Sequence, residues 1–422
     1  MSRRALAACA AAACLLLSGC ERNKLRGYQR TVGEAVPRIE AGVGVKFKTP
    51  PVIEERSKEE VAAFIARELA DTARLARLAA HQSVYKMLGV IPDSLDLRKL
   101  TADLLTEQVL GYYDPKTKVL YVVKGAPRAN VGLIIWHELV HALQDQYVNV
   151  DSLLSQPDND RATAAQALLE GEASLEQIQA FAGPDNANAA TAMFSNWEKT
   201  REVLRQNKQI MPAYSASPFF VQEQLLFPYL SGAEFVRHYK DSRAGKPPFL
   251  ATIPASTEQI VSRAAYFGAT KDEPLTITLP APKGAATRYE DVLGEFEIRL
   301  FVFEHLQSQE EAVTAAAGWG GDRYQVLRTP KGDGLAWITM WDTPLDAVEF
   351  LTSLQHIVGV RYPDAKGVGV AGASHATRYD TYARSIVVQG TDGAGHAAVI
   401  YIDVPRGTST DVVNLANVRA SR

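Results

Sequence analysis

His137-Glu138-Leu139-Val140-His141 is the stretch on which the reading of this chain turns. Two imidazoles four residues apart stack on one face of a helix, within reach of a single metal ion. Glu138, one position after the first histidine, stands beside that ion as a proton acceptor for water and not as a ligand. The flanking residues supply the helix: from Val131 to about Tyr147, apolar Leu133, Ile134, Trp136, Val140 and Leu143 describe a largely buried one. Histidines on so apolar a helix are costly to bury without partners, which is a further reason to expect a metal.

Upstream, Leu110-Gly-Tyr-Tyr-Asp-Pro-Lys-Thr-Lys-Val-Leu-Tyr-Val-Val123 reads as a strand, a turn at Asp114-Pro115 and a second strand. A hairpin is therefore expected ahead of the histidine helix. Its second strand, Lys118 to Val123, is open to two readings: an edge above the metal that pairs with an extended peptide, or an internal strand of a sheet.

A catalytic zinc takes three protein ligands and leaves the fourth position to water. His238, His305, His356, His375 and His396 do not have the short spacing of a metzincin's third histidine. A better source is Ala167-Leu-Leu-Glu170-Gly-Glu172-Ala-Ser174, on a helix expected from about Asp160, as N-cap, to Phe181, ended by Gly183-Pro184. At this point the sequence resembles the gluzincins, the zincin clan in which a glutamate on a helix after HExxH completes the site, commonly followed by glycine. The resemblance implies zinc held by His137, His141 and Glu170. Glu172 lies about 200° around the helix from Glu170 and needs a different rotation to reach the same ion. Gluzincins also use a Tyr, His or Arg to stabilise the oxyanion. Tyr229, His238, Arg323 and Tyr324 are the candidates, and spacing does not choose among them.

The resemblance narrows to a group of bacterial exported HExxH proteins whose function is not established. Thr106-Glu-Gln-Val-Leu-Gly-Tyr-Tyr-Asp-Pro115, His137 to Gln146, Leu169 to Ala173, Phe227-Pro-Tyr-Leu-Ser-Gly232, Pro254-Ala-Ser-Thr-Glu-Gln259 and Gly318-Trp-Gly-Gly-Asp-Arg-Tyr324 look like its recurring phrases. The chain departs after Gln259, where Ile260-Val-Ser-Arg-Ala-Ala-Tyr266 stands in place of a histidine-bearing stretch.

At the N-terminus, Met1-Ser-Arg-Arg and the apolar run Ala5 to Leu17 have the form of an export signal, too short to span a bilayer. It ends in Leu17-Ser18-Gly19-Cys20, which resembles the bacterial lipoprotein box, where the signal is cut before a cysteine diacylated on sulfur. Several acyl chains on Cys20 anchor a protein without a spanning helix, and Glu21 in place of Asp favours the outer membrane or periplasmic side of the envelope. All three cysteines, Cys9, Cys14 and Cys20, fall in or at the end of this segment. Disulfides and cysteine-based zinc sites are therefore excluded from the mature chain, and any metal must use histidine and carboxylate.

Of 422 residues, 46% are hydrophobic and 22% charged, the balance of a globular chain with sizeable cores. Loss of Arg3 and Arg4 from 45 basic residues, against 48 acidic ones, takes the formal charge from −3 to −5. No basic surplus points to nucleic acid. The expected organisation is a signal over 1–19, a membrane-proximal linker over 20–56, a zincin-like domain over 57–310 and an α+β subdomain over 311–422. Ser57-Lys-Glu-Glu60 reads as a capping box opening one helix up to Gly89. Further helices are expected near Val221 to Tyr239 and Tyr289 to Leu306. Beyond Gly318, strand runs around an Asp342-Thr343-Pro344 helix start give a β-β-α-β-β order.

The fold class is thus α+β: a mainly helical, zincin-like unit with a small sheet or hairpin, followed by the β-β-α-β-β subdomain. The expected function is a lipid-anchored zinc peptidase acting on peptide or protein substrates, with Glu138 as general base. The rival is a catalytically inactive zincin-fold envelope lipoprotein that serves as a binding or assembly module. Loss of the cellular phenotype in Glu138→Gln separates the two.

Overall fold

The computed structural model describes residues 27–182, 211–243, 245–371, 373 and 375–422. It is a mixed α and β fold, with most helices ahead of residue 286 and a seven-stranded antiparallel sheet after it. Structure begins well before Ser57, which corrects the linker expected over 20–56 from residue 27 onward. Residues 27–43 form a helix (α1), and its Ala35, Ile39 and Val43 repeat every four residues into the core. Pro37, Gly33 and Gly42 obscure that period in the sequence, and burial overrides their low helix propensity. Val52–Arg56 (β1) then pairs in parallel with Val119–Val123 (β3).

The capping box at Ser57 forms as expected: Glu60 N donates to Ser57 Oγ at 3.2 Å and Ser57 N to Glu60 Oε2 at 2.7 Å. The helix that follows is two, Lys58–Glu68 (α2) and Thr72–Leu88 (α3), because Asp71 accepts from Arg74 N and caps a new start. Gly89, at φ 74°, ends α3 in the left-handed conformation that glycine adopts without steric cost. Leu97–Gln108 (α4) leads into the hairpin of Gly111–Asp114 (β2) and β3. The strand order β1-β3-β2 makes β3 internal and places β1 and β2 at the two edges.

Arg128–Gln144 (α5) carries the histidines, and Val150–Leu154 (α6) precedes the long helix Asn159–Ala182 (α7). The cap of α7 is Asp158, whose Oδ1 accepts from Arg161 N at 2.9 Å, and not Asp160. Asp160 is buried and accepts instead from Thr257, through its backbone N at 3.1 Å and its hydroxyl. Gly183 and Pro184 lie outside the described residues. After Pro212–Ala216 (α8), Phe219–Ser242 (α9) packs along α7. A Cβ at Gly171 would collide with the Gly232 backbone, and one at Gly232 with the Ala167 carbonyl. These two glycines let the helices cross at backbone contact.

Thr257–Val261 (α10) and Arg263–Phe267 (α11) connect α9 to Thr276–Thr278 (β4) and Ala286–Asp291 (β5). Tyr289, expected in a helix, is in β5, and the helix Gly294–Leu306 (α12) starts only after Asp291 has accepted from the Tyr289 hydroxyl at 2.6 Å. Gln309–Ala316 (α13), Trp319–Thr329 (β6), Gly332–Trp341 (β7), Pro344–Arg361 (α14), Gly367–Gly369 (β8), Ala376–Asp380 (β9), Arg384–Gly393 (β10), His396–Pro405 (β11) and Arg419–Ser421 (β12) follow. The expected β-β-α-β-β order is that of β6, β7, α14, β10 and β11. The sheet, ordered β5-β6-β7-β11-β10-β9-β8, extends it at both sides and begins at Ala286, ahead of residue 311.

Both faces of the sheet are covered, which alternation along each strand makes possible. In β7, Leu335, Trp337 and Trp341 join the core shared with the helices, while Ala336, Ile338 and Met340 face a second core closed by Leu275, Ile277 and Val418 around the β4–β12 ribbon. The first core is continuous from Ala35 to Tyr401. Helix α5, which bears the histidines, is therefore packed on a broad, fixed base.

Candidate metal centre

Helix α5 buries Ile135, Leu139, Val140 and Leu143 completely, leaving His137 and His141 on the face turned to α7. There three donor atoms converge. His137 Nε2 lies 3.0 Å from Glu170 Oε2, His141 Nε2 lies 3.2 Å from the same oxygen, and the two nitrogens are 3.2 Å apart. The side chains are 13, 17 and 18% exposed, so the triangle is open on one side. Ligands about 2.0–2.1 Å from a tetrahedral zinc stand about 3.3 Å from one another. The spacing fits that ion without rearrangement.

A network sets which nitrogen of His141 carries hydrogen. Gln144 Nε2 donates to Leu169 O at 3.1 Å and to Glu172 Oε2 at 3.1 Å, so its Oε1 faces His141 Nδ1 at 2.9 Å and must accept from it. With the proton on Nδ1, the Nε2 lone pair is directed into the triangle. Glu172 thus turns away from the triangle and supports it through Gln144. Its buried carboxyl is pushed up to about 7 by burial, with Lys240 opposing. Glu170 responds differently: burial acts to raise it, but the facing imidazoles overcome this and hold it well below the usual carboxylate range. His141 is lowered by burial and raised by Glu170, with a net rise to about 9.

Glu138 is half-buried at the side of the triangle, and its Oε2 accepts from the backbone N of Tyr113 on the edge strand β2 at 2.8 Å. Burial raises its pKa, and the two histidines oppose the rise. Of the four oxyanion candidates, only Tyr229 reaches this place. It lies on α9 one turn before Gly232, so the close helix crossing brings its ring over His137, with centroids 6.0 Å apart and planes 29° apart. Its phenol is raised first by the charge of Glu170, with Glu138 adding to it, and the ring is 39% exposed. Arg323 pairs with Glu290 at 2.6 Å, Tyr324 is buried beside Tyr289, and His238 packs against Phe267.

The candidate residues His137, Glu138, His141 and Glu170 are thus brought together, while Cys20 lies outside the described residues. Asp145, at the end of α5, has a nearly buried carboxylate that accepts from Tyr113 Oη at 2.7 Å and Lys118 Nζ at 2.6 Å. Gln144 and the Tyr113 amide were not foreseen. Gln144 carried a signal, since three residues past His141 it falls on the same helix face. A backbone amide carries none.

Residues 284–420, from just ahead of β5 to β12, match a family model described as a domain of unknown function, DUF8575. That match takes in the seven-stranded sheet and leaves the histidine helix outside it. No curated protein and no solved structure matches the chain.

Proposed function

We propose that the chain is a zinc-dependent peptidase of gluzincin type, built on a zincin-like helical unit and tethered to the bacterial envelope by lipid on Cys20. The observation that carries this reading is the convergence of His137 Nε2, His141 Nε2 and Glu170 Oε2 at 3.0 to 3.2 Å, with Glu138 half-buried beside them. Zinc held by those three residues would polarise a scissile carbonyl and acidify water. The remaining steps belong to the chain. Glu138, oriented by the Tyr113 amide, takes the proton of the attacking water and hands it to the leaving nitrogen. Its raised pKa makes it a stronger base than an exposed carboxylate and a ready donor afterwards. Tyr229 keeps its proton at neutral pH and offers it as a hydrogen bond to the oxyanion.

No helix of the described residues is long and apolar enough to cross a membrane. Attachment is assigned to Cys20 on the lipobox alone, and Cys20→Ala is expected to abolish palmitate labelling. The peptidase reading is tested by digesting a peptide library with zinc-loaded wild type and Glu138→Gln. Wild type should cleave, and the variant should keep its zinc while slowing about 10²- to 10⁴-fold. A zinc-loaded wild type that cleaves nothing, on any peptide, would leave the binding-module reading standing.

A further inference from the structure

Away from the histidines, a second group of ligand atoms is assembled by three separate stretches. They are Glu258 on α10, Asp272 in the segment after α11, and Asp342 between β7 and the Thr343 cap of α14. One carboxylate oxygen from each lies within 4.8 Å of the other two. Glu258 is the informative member. It is only 5% exposed, and among the described residues its carboxylate has no hydrogen-bond or ion-pair partner. The charges that act on it most are negative: Glu295, Asp272, Asp342 and Asp160. Glu295 is already paired with Arg299, and Arg422 stands at the Asp272 and Asp342 side of the cluster, 3.9 Å from Asp272.

Backbone contacts impose much of the grouping, and Asp342 and Asp272 also share a side-chain hydrogen bond. Gln259 accepts from Ala255 N at 2.8 Å and donates to the Asp272 carbonyl, while Asp272 N donates to Ala265 O at 2.8 Å. Asp342 N is held by Gly318 O at 2.9 Å. An unpartnered buried carboxylate beside two others is unfavourable unless a cation compensates.

We propose that Glu258, Asp272 and Asp342 form a calcium site that clamps the segment 254–275 to the end of strand β7. Calcium takes six to eight oxygens at about 2.3–2.6 Å, so its ligands lie within about 5 Å of one another, as these do. Three carboxylates with no nitrogen suit a hard cation, and three negative charges exceed the one or two that magnesium generally takes. Asp342 is exposed, which leaves room for water to complete the shell. In the metal-free cluster burial, then Glu295, Asp272 and Asp342, push Glu258 up to about 9, and Asp342 is raised to about 6 by burial and Asp272. The site also explains Pro254-Ala-Ser-Thr-Glu-Gln259: Ser256 caps α10, Thr257 binds Asp160, Gln259 fixes the loop, and Glu258 is left for the ion.

The test is calcium titration of the purified chain, chelator-treated and reloaded with zinc, followed by calorimetry and thermal unfolding. Wild type is expected to bind one calcium per chain and to unfold at higher temperature with it. Glu258→Gln should lose that response, yet be at least as stable as wild type without calcium, because it removes an uncompensated charge. Asp342→Asn should weaken calcium binding about tenfold or more. Zinc content is expected to be the same in all three proteins. The proposal is overturned if wild type neither binds calcium nor shifts, if magnesium gives the same shift at the same concentration, or if Glu258→Gln is destabilised in the absence of calcium.

Discussion

Replacing Gln144 by leucine tests whether the triangle of donors is held by its neighbours or merely by the helix. The amide makes three contacts: it accepts from His141 Nδ1 at 2.9 Å and donates to Leu169 O and Glu172 Oε2, each at 3.1 Å. Leucine fills the same space and removes all three. His141 is then free to rotate or to carry its proton on Nε2, where zinc must bind. Loss of such a partner costs about 10- to 100-fold in metal affinity, or about 1.4–2.7 kcal/mol. The buried Glu172 carboxylate, left without the Gln144 donor, adds a separate cost of about 1–3 kcal/mol to folding. The two are distinguished by competitive zinc titration against a chromophoric chelator at a temperature where both proteins are folded, with unfolding of the metal-free forms followed in parallel. A variant that is less stable yet binds zinc as tightly as wild type would refute the orienting role of Gln144.

Gly232→Ala should lower stability by about 1–3 kcal/mol and reduce activity together, since its Cβ collides with the Ala167 carbonyl and must part α7 from α9; thermal unfolding and kcat/KM report the two effects. Tyr229→Phe should leave zinc content and KM near wild type and lower kcat about 10²- to 10³-fold, measured on any peptide that wild type cleaves. Zinc binding should release protons. With His141 raised to about 9 in the metal-free chain, zinc displaces about one proton from it at neutral pH, so affinity climbs about tenfold per pH unit as pH rises and levels off above about 9. Calorimetry in buffers of different ionisation enthalpy counts that proton.

Much of this arrangement can be read in the sequence, for reasons that differ from one element to the next. The HExxH spacing and the Glu170-Gly171 phrase are local, and local periodicity determines which side chains share a helix face. The hairpin, the Ser57 box and the Thr343-Pro344 start are local as well, and each forms. What escapes depends on distant chain. Helix α1 is stabilised by burial of Ala35, Ile39 and Val43 and not by propensity, so Pro37 made it look like a spacer. Tyr229 reaches the site only because Gly171 and Gly232 bring two helices together, and the Asp160–Thr257 contact spans separate segments in the same way. The Tyr113 amide that orients Glu138 belongs to the backbone, and no residue type announces it.

The central claim is that two imidazoles and one carboxylate of this chain hold zinc, and X-ray absorption at the zinc edge of the loaded protein addresses it most directly. The account predicts one zinc per chain with two histidine nitrogens and light oxygen ligands at about 2.0–2.2 Å, the imidazole signature vanishing in His137→Ala and occupancy falling in Glu170→Ala. A protein that takes up no stoichiometric zinc, or one in which Glu170→Ala binds it with an unchanged spectrum and affinity, would contradict it.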